Sequence, residues 1–376
     1  MSERPRSSPL HDLHAALGAT FTDFAGWSMP VKYSSDLAEH HAVRSSAGIF
    51  DISHMGEISV RGRNAAEFLD ATLAGRLSAL EPMQAKYTLL LNERGGVVDD
   101  LIVYRNGDDE YLVVANASNR IAVAGALATA ARDAALDVAV DDVSDGIALI
   151  AVQGPRAQEI LERTTGFAVV PGQPSFADVR YYRATAAVFG EGTVFVGRTG
   201  YTGEDGFELY VGVQDAAALW SALTVAGAPL GLVPAGLASR DTLRLEAGMP
   251  LYGHELGEDV LPVQAGLGRV VALSKEADFP GRAAVEAGPP EGARVLVGLT
   301  TEGRRAGRAG YPVLSADGDA VGEITSGALS PTLGHPIALA FVDPQSSTPG
   351  TALAIDVRGT RIPATVTTLP FYSRKK

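Results

Sequence analysis

The run Gly200-Tyr201-Thr202-Gly203-Glu204-Asp205-Gly206-Phe207-Glu208 sets three evenly spaced glycines ahead of a carboxylate on a strand-like segment. Glycines at this density let a backbone take positive φ and approach a ligand closely. Glu208 is the first carboxylate on the strand after the turn, so its direction is fixed. A fixed carboxylate next to Tyr201 suits a flat heterocycle with paired N–H donors. The same residues also describe an ordinary hairpin turn with a solvent-facing glutamate.

Two further groupings could do chemistry. Val97-Val98-Asp99-Asp100-Leu101-Ile102-Val103-Tyr104 carries adjacent carboxylates in an apolar strand. Neighbours on a strand face opposite sides, so no acid/base dyad on one face is expected. One carboxylate accompanies Val98, Ile102 and Tyr104; the other accompanies Val97, Leu101 and Val103. Burial among β-branched residues raises a carboxylate pKa, which suits proton transfer. The strand alone leaves Asp99 and Asp100 equivalent, and a surface pair flanking a hairpin is the alternative. In the helical run Leu237 to Ala247, Arg240 and Arg244 share a face at i, i+4. Stacked guanidinium groups repel unless an anion lies between them. That anion is a ligand carboxylate gripped by a bidentate fork, or Asp241 and Glu246.

Other polar clusters do not fit a reaction. Asp51, Ser53 and His54 are too close in sequence for a nucleophilic triad, which is assembled in space. His40-His41 and His254-Glu255 lack metal-ligand spacing, so no metal is expected. Neither G-x-x-x-x-G-K-[ST] nor G-x-G-x-x-G occurs.

The elements that must position these residues follow from periodicity and turn signals. Helices are expected at His11–Leu17, Asp36–Arg44, Asn64–Leu73, Asn119–Ala134, Ala157–Arg163, Ala216–Ala226 and Leu237–Ala247. Asp23–Tyr33 reads as an aromatic loop. Strands at Glu57–Val60, Tyr87–Leu91, Val97–Arg105, Glu110–Ala115 and Asp137–Val140, with two of the helices, give a β-α-β-β-β-α-β module. A buried strand at Ile147–Val152 follows, then strands at Arg180–Val188, Thr193–Arg198 and Gly206–Val211. Glu276–Gly292 reads as a turn-rich linker. Beyond it, short strands from Val295 to Thr367 suggest a small all-β domain.

The 376 residues include 46% hydrophobic side chains, 42 glycines, 21 prolines and no cysteine. This excludes disulfides, thiolate catalysis and cysteine-ligated zinc. The net charge of −13 argues against nucleic-acid or anionic-membrane binding, and an anionic ligand needs a local arginine cluster. No apolar run reaches membrane-spanning length. Met1–Pro9 contains Glu3 and leads into no apolar core, so no secretory signal is read and a cytoplasmic protein is expected.

Taken in order, several segments resemble the aminomethyltransferase of the glycine cleavage system, its T-protein. They are F-A-G-W-S-M-P (24–30), F-D-I-S-H-M-G (50–56), L-L-N-E-R-G-G-V-V-D-D-L (90–101), A-V-Q-G-P (151–155), G-Y-T-G-E-D-G-F-E (200–208) and R-D-T-L-R-L-E-A-G-M-P-L-Y-G (240–253). The C-terminal I-T-S-G-x-L-S-P-T-L (324–333) also fits. Each motif is weak; the ordered set, spanning nearly the whole chain, is specific.

The resemblance implies an α+β, three-domain cloverleaf with folate in a central hole. Its divisions are 1–50 plus 145–275, an inserted α+β domain at 51–144, and a C-terminal β-barrel or jelly-roll-like domain at 276–376. It implies transfer of the one-carbon unit from an aminomethyl-lipoyl carrier, the H-protein, to tetrahydrofolate. The products are 5,10-methylenetetrahydrofolate and ammonia. By motif position Asp100 is the key aspartate, acting near folate N5 and N10. Glu208 matches the carboxylate that grips the pterin edge, Tyr201 a pocket tyrosine and Arg240 a binding arginine. Tyr87 and Asn116 match pocket positions, and Arg374 falls where the family contacts the folate tail. Relatives of another kind are the folate domains of dimethylglycine and sarcosine oxidases, joined to flavin units; no flavin domain is expected here. Folate-binding relatives serving iron–sulfur assembly or repair usually carry a cysteine motif, which this chain lacks.

Overall fold

A computed structural model describes residues 4–374. The expectation for the leader at Met1–Pro9 therefore lies partly outside the described residues. Helices and strands of the β-α-β-β-β-α-β module form where the sequence expects them, at Gly56–Arg61, Ala65–Thr72, Gln84–Leu91, Val97–Arg105, Glu110–Ala115, Arg120–Asp133 and Ala139–Asp142. Its sheet is wholly antiparallel, with Gln84–Leu91 at one edge and Ala139–Asp142 at the other. Ile58, Val60, Leu101, Val103 and Val113 turn one face onto Phe68, Leu69, Val123 and Leu127 of the two helices.

A seven-stranded sheet takes Ala47–Asp51 from before this module and the rest from after it. Its order runs Phe167–Val169, Ala184–Phe189, Gly192–Gly197, Gly206–Gly212, Ile147–Gln153, Ala47–Asp51, Leu232–Pro234. Only the last pairing is parallel. Helices Ala157–Arg163 and Ala216–Gly227 cover one face through Ile160, Leu161, Leu219 and Trp220. The opposite face packs on the second face of the five-stranded sheet. Phe50, Leu149, Ala151 and Tyr210 meet Tyr104, Leu112 and Val114 there.

Six strands from Val295 to Thr367 close a barrel. Of the two shapes expected for this region, barrel or jelly roll, the barrel forms. Glu246, fully buried at the end of helix Leu237–Glu246, ties it to the seven-stranded unit. It accepts from Ser330 Oγ (2.5 Å), Thr332 Oγ1 (2.7 Å) and Arg44 Nη2 (2.8 Å), and lies 3.2 Å from His40 Nε2.

Two local expectations are corrected. Residues 23–33 are not a loop: Thr20–Phe24 and Trp27–Lys32 form a hairpin across Ala25 (φ 52°) and Gly26 (φ 78°). Two successive left-handed residues make the turn whose twist suits a hairpin, and Phe24 faces Trp27 across it. The linker at 276–292 carries a short helix, Arg282–Ala287, started by Gly281 in left-handed conformation. Among the described residues no helix is long and apolar enough to cross a membrane.

Candidate active site

Asp100 lies within strand Val97–Arg105, three residues from its start, and both its carboxylate oxygens are held. Tyr87 Oη, from the neighbouring strand, donates to Oδ2 at 3.0 Å, and Asn116 Nδ2 donates to Oδ1 at 2.8 Å. Asn116 follows directly after Glu110–Ala115, the strand on the other side. Burial raises the Asp100 pKa above the usual carboxylate range, against the opposing effect of these bonds.

Asp99 and Asp100 take opposite faces of the strand, as neighbours on a strand do. Asp99 faces the core with Leu101 and Val103. The sheet register slips by one residue between Leu90 and Leu91, so the strand kinks at Val98. Asn116 Nδ2 bonds Asp99 Oδ1 at 2.9 Å as well as Asp100, and Asn116 N and Asn119 Nδ2 also donate to Asp99. One amide therefore bridges the two carboxylates. Burial, then the charge of Asp100, lifts the Asp99 pKa to about 7.

Glu208 stands on the other sheet, with Gly197 and Ala151 as its cross-strand neighbours. Ala151 lines the cleft beside it, and the Tyr104 hydroxyl fills the gap at Gly197. Thr199 Oγ1 donates to Glu208 Oε2 at 2.6 Å. Burial raises the pKa of Glu208, opposed by the Thr199 bond and the charge of Arg240.

The two arginines of helix Leu237–Glu246 separate cleanly. Arg244 is a structural residue: it bonds Asp241, Glu255, Ser326 Oγ and the Met249 carbonyl. Arg240 stacks on the Tyr201 ring at 4.5 Å and makes no ion pair among the described residues. Burial lowers its pKa, which marks a desolvated cation. Tyr201 is fixed by a 2.5 Å hydrogen bond to the Pro250 carbonyl. Arg240, Tyr201 and Glu208 line one narrow cleft with Phe50, Ile52 and Gln153.

Of the three glycines in 200–208, only Gly203 uses positive φ (78°). A Cβ on Gly200 or Gly206 would come within 1.9 or 2.3 Å of the Gln153 side chain. Those glycines make room for Gln153, which accepts from Thr202 Oγ1 and donates to the Thr199 carbonyl. The glycine spacing thus serves internal packing more than ligand approach.

Tyr182 joins the two halves. Its phenol is raised by burial and then by Tyr181, Glu208 and Asp100, so it lies within electrostatic reach of both carboxylates. Nothing in the sequence pattern pointed to it. Its φ of 60° is unusual for a tyrosine, and Met83 beside it has φ 62°. Between these kinks Ala85 N bonds the Tyr182 carbonyl and Ala184 N the Met83 carbonyl, stitching the edge of one sheet to the other. Arg374 sits farther out, 3.3 Å from Asp205, on a surface cleft shared with Arg180, Tyr181 and Arg198. Burial, then the charge of Glu208, raises the Tyr181 phenol against the opposing charge of Arg374. Asp51, considered beside His54 in the sequence, bonds His14 Nε2 at 2.9 Å instead.

The chain matches two family models in tandem: the GCVT N-terminal domain over residues 10–275 and the glycine cleavage T-protein C-terminal barrel domain over 294–373. It is 57% identical to an aminomethyltransferase of Cutibacterium acnes over 370 residues, 98% of this chain and 99% of that one. An aminomethyltransferase of Bacillus subtilis is 43% identical over 98% of this chain and 99% of its own. The crystal structure of glycine cleavage system aminomethyltransferase T from Bartonella henselae superposes with a TM-score of 0.88 at 35% identity, covering 98% of both chains. Two sheets packed face to face, a closed C-terminal barrel and end-to-end similarity lead to one conclusion: the chain belongs to the glycine cleavage T-protein family, the aminomethyltransferases.

Proposed function

We propose that this aminomethyltransferase of glycine cleavage binds tetrahydrofolate with its pterin in the cleft between the two sheets and its tail toward Arg374. Glu208 accepts from the paired N–H donors of the pterin edge, the match that a bidentate carboxylate makes best. Arg240 and Tyr201 form the wall beside it. Tyr87 and Asn116 fix the Asp100 carboxylate between them. Folate supplies the two nucleophilic nitrogens, N5 and N10. The aminomethyl carbon arrives on the lipoyl arm of an H-protein, whose sulfur leaves as a thiol while ammonia is released. Asp100 accepts a proton as a folate nitrogen bonds to that carbon. The lipoyl carrier, the folate and the divisions 1–50 plus 145–275, 51–144 and 276–376 belong to this reading, as does a cytoplasmic location.

The observation that carries it is the placing of two half-buried carboxylates on different sheets, Asp100 and Glu208, each raised by desolvation, together with an arginine, Arg240, that stacks on Tyr201 and makes no ion pair among the described residues. A desolvated cation and two such carboxylates are costly to the fold alone, and a ligand with N–H donors and anionic groups offsets that cost. The test is formation of 5,10-methylenetetrahydrofolate from tetrahydrofolate and aminomethylated lipoyl carrier. Asp100→Asn is expected to lose roughly 10²-fold or more in rate. Wild-type turnover in that variant rejects the role of Asp100. Tight folate binding without product from the wild-type protein rejects the transfer and favours a folate-binding relative without transferase activity.

A further inference from the structure

The geometry of Glu208 has a source in the other sheet. Thr199 Oγ1 donates its only proton to Glu208 Oε2, so at its 2.6 Å contact with Tyr104 Oη it accepts. The donor order runs from Tyr104 to Thr199 to Glu208 and ends on the carboxylate. Tyr104 belongs to strand Val97–Arg105 and is fully buried. Its ring is held edge-on by Phe195 (5.1 Å, 87°) and Tyr210 (5.8 Å, 75°). It shares a strand face with Asp100, four residues and about 13 Å earlier.

Gly197 makes the contact possible. It lies directly across the ladder from Glu208, and a Cβ there would stand 2.2 Å from the Tyr104 hydroxyl. Its φ lies outside the left-handed region, so glycine serves space here and not a turn. The missing side chain leaves the hole through which Tyr104 of one sheet reaches Thr199, which bonds Glu208 of the other.

We propose that Tyr104 and Thr199 are positioning residues: a two-hydroxyl relay across the sheet interface that keeps Glu208 ionised and at a set distance from Asp100. This rests on Glu208 being the pterin clamp. Ionisation matters because a protonated carboxyl presents a donor to the pterin N–H groups and loses one acceptor. The charged and titratable groups around Glu208 are Arg240 from its helix, Tyr104 from the facing sheet, Tyr181 and Tyr182 from the preceding loop, and Tyr210 from its own strand. Only the Arg240 charge and the Thr199 bond favour the anion against burial.

The experiment is calorimetric titration of tetrahydrofolate into wild type, Thr199→Val, Thr199→Ser, Tyr104→Phe and Glu208→Gln from pH 5 to 8, with Tm recorded for each. Thr199→Val is expected to weaken binding about tenfold or more at neutral pH, the loss of one charge-assisted hydrogen bond. Its acid limb of binding moves up by about one pH unit, and Thr199→Ser restores both. Tyr104→Phe shifts in the same direction by about threefold. If Thr199→Val does not fold, Thr199→Ser and Tyr104→Phe decide: wild-type affinity and limb in a folded Tyr104→Phe overturn the relay. A lower Tm with an unmoved limb also overturns it, since that is what simple packing predicts. Wild-type binding by Thr199→Val alongside weak binding by Glu208→Gln removes the relay and leaves the clamp. Unchanged binding by Glu208→Gln removes both.

Discussion

Removing the Tyr87 hydroxyl isolates what positions Asp100. Tyr87 Oη is the donor to Oδ2 at 3.0 Å, while Asn116 keeps Oδ1 at 2.8 Å. Tyr87→Phe therefore takes one bond and leaves the other. A hydrogen bond to an ionised group contributes about 1.5–3 kcal/mol. The lower end applies here, because Asp100 is only partly covered and water can take up some of the lost bond. One pKa unit corresponds to about 1.4 kcal/mol, so the Asp100 pKa, already raised by burial, climbs by about one further unit. A carboxylate that accepts a proton in the reaction must be ionised beforehand. A higher pKa delays ionisation, so the acid limb of kcat/KM moves to higher pH by about one unit. The plateau above it falls by less than about threefold, because the base itself remains. Initial rates of 5,10-methylenetetrahydrofolate formation across pH 5.5–9 read this directly, with Asp100→Asn as the control that lacks the base. An acid limb that stays in place, or moves down, while the plateau holds refutes the argument that this bond stabilises a required anion.

Two further outcomes separate structural from functional charges. Arg244→Met leaves Glu255 buried without its cation and is expected to cost about 3–5 kcal/mol in urea unfolding, whereas Arg240→Met, which breaks no ion pair, spares stability and abolishes tight folate binding; equal losses of stability in the two variants contradict the assignment. Glu246 is pushed up by burial, but the bonds and charges of His40, Ser330 and Arg44 outweigh this and bring its pKa to about 2. A depressed carboxylate contributes stability that is full above its unfolded value of 4.5 and is lost as pH falls toward 2, about 3 kcal/mol in all; Glu246→Gln should flatten the stability–pH curve in that window, and a curve of unchanged slope there counts against the ion-pair network as the link to the barrel.

The sequence by itself determined most of the elements, because their signals are local. The β-α-β-β-β-α-β module and the short strands of the barrel follow from alternation, tight turns and an amphipathic helix, and the ordered motifs carried the family. Local signals also misled where backbone conformation was the deciding fact. The Ala25-Gly26 turn hides in an aromatic segment that reads as loop, and the glycines at 200 and 206 looked like ligand-approach residues although they accommodate Gln153. What only the tertiary structure decided is everything that depends on two sheets meeting. Arg240 and Arg244 are alike in sequence; one differs from the other because Asp241, Glu255 and Ser326 converge on Arg244 alone. Asp99 and Asp100 point apart along their strand, yet one asparagine beyond the neighbouring strand bridges them. The Tyr104–Thr199–Glu208 contact joins residues about a hundred positions apart, through a gap left by a glycine. Periodicity reports which face a side chain takes on its own element; which groups share a cleft is set by packing between elements, and no local pattern encodes that.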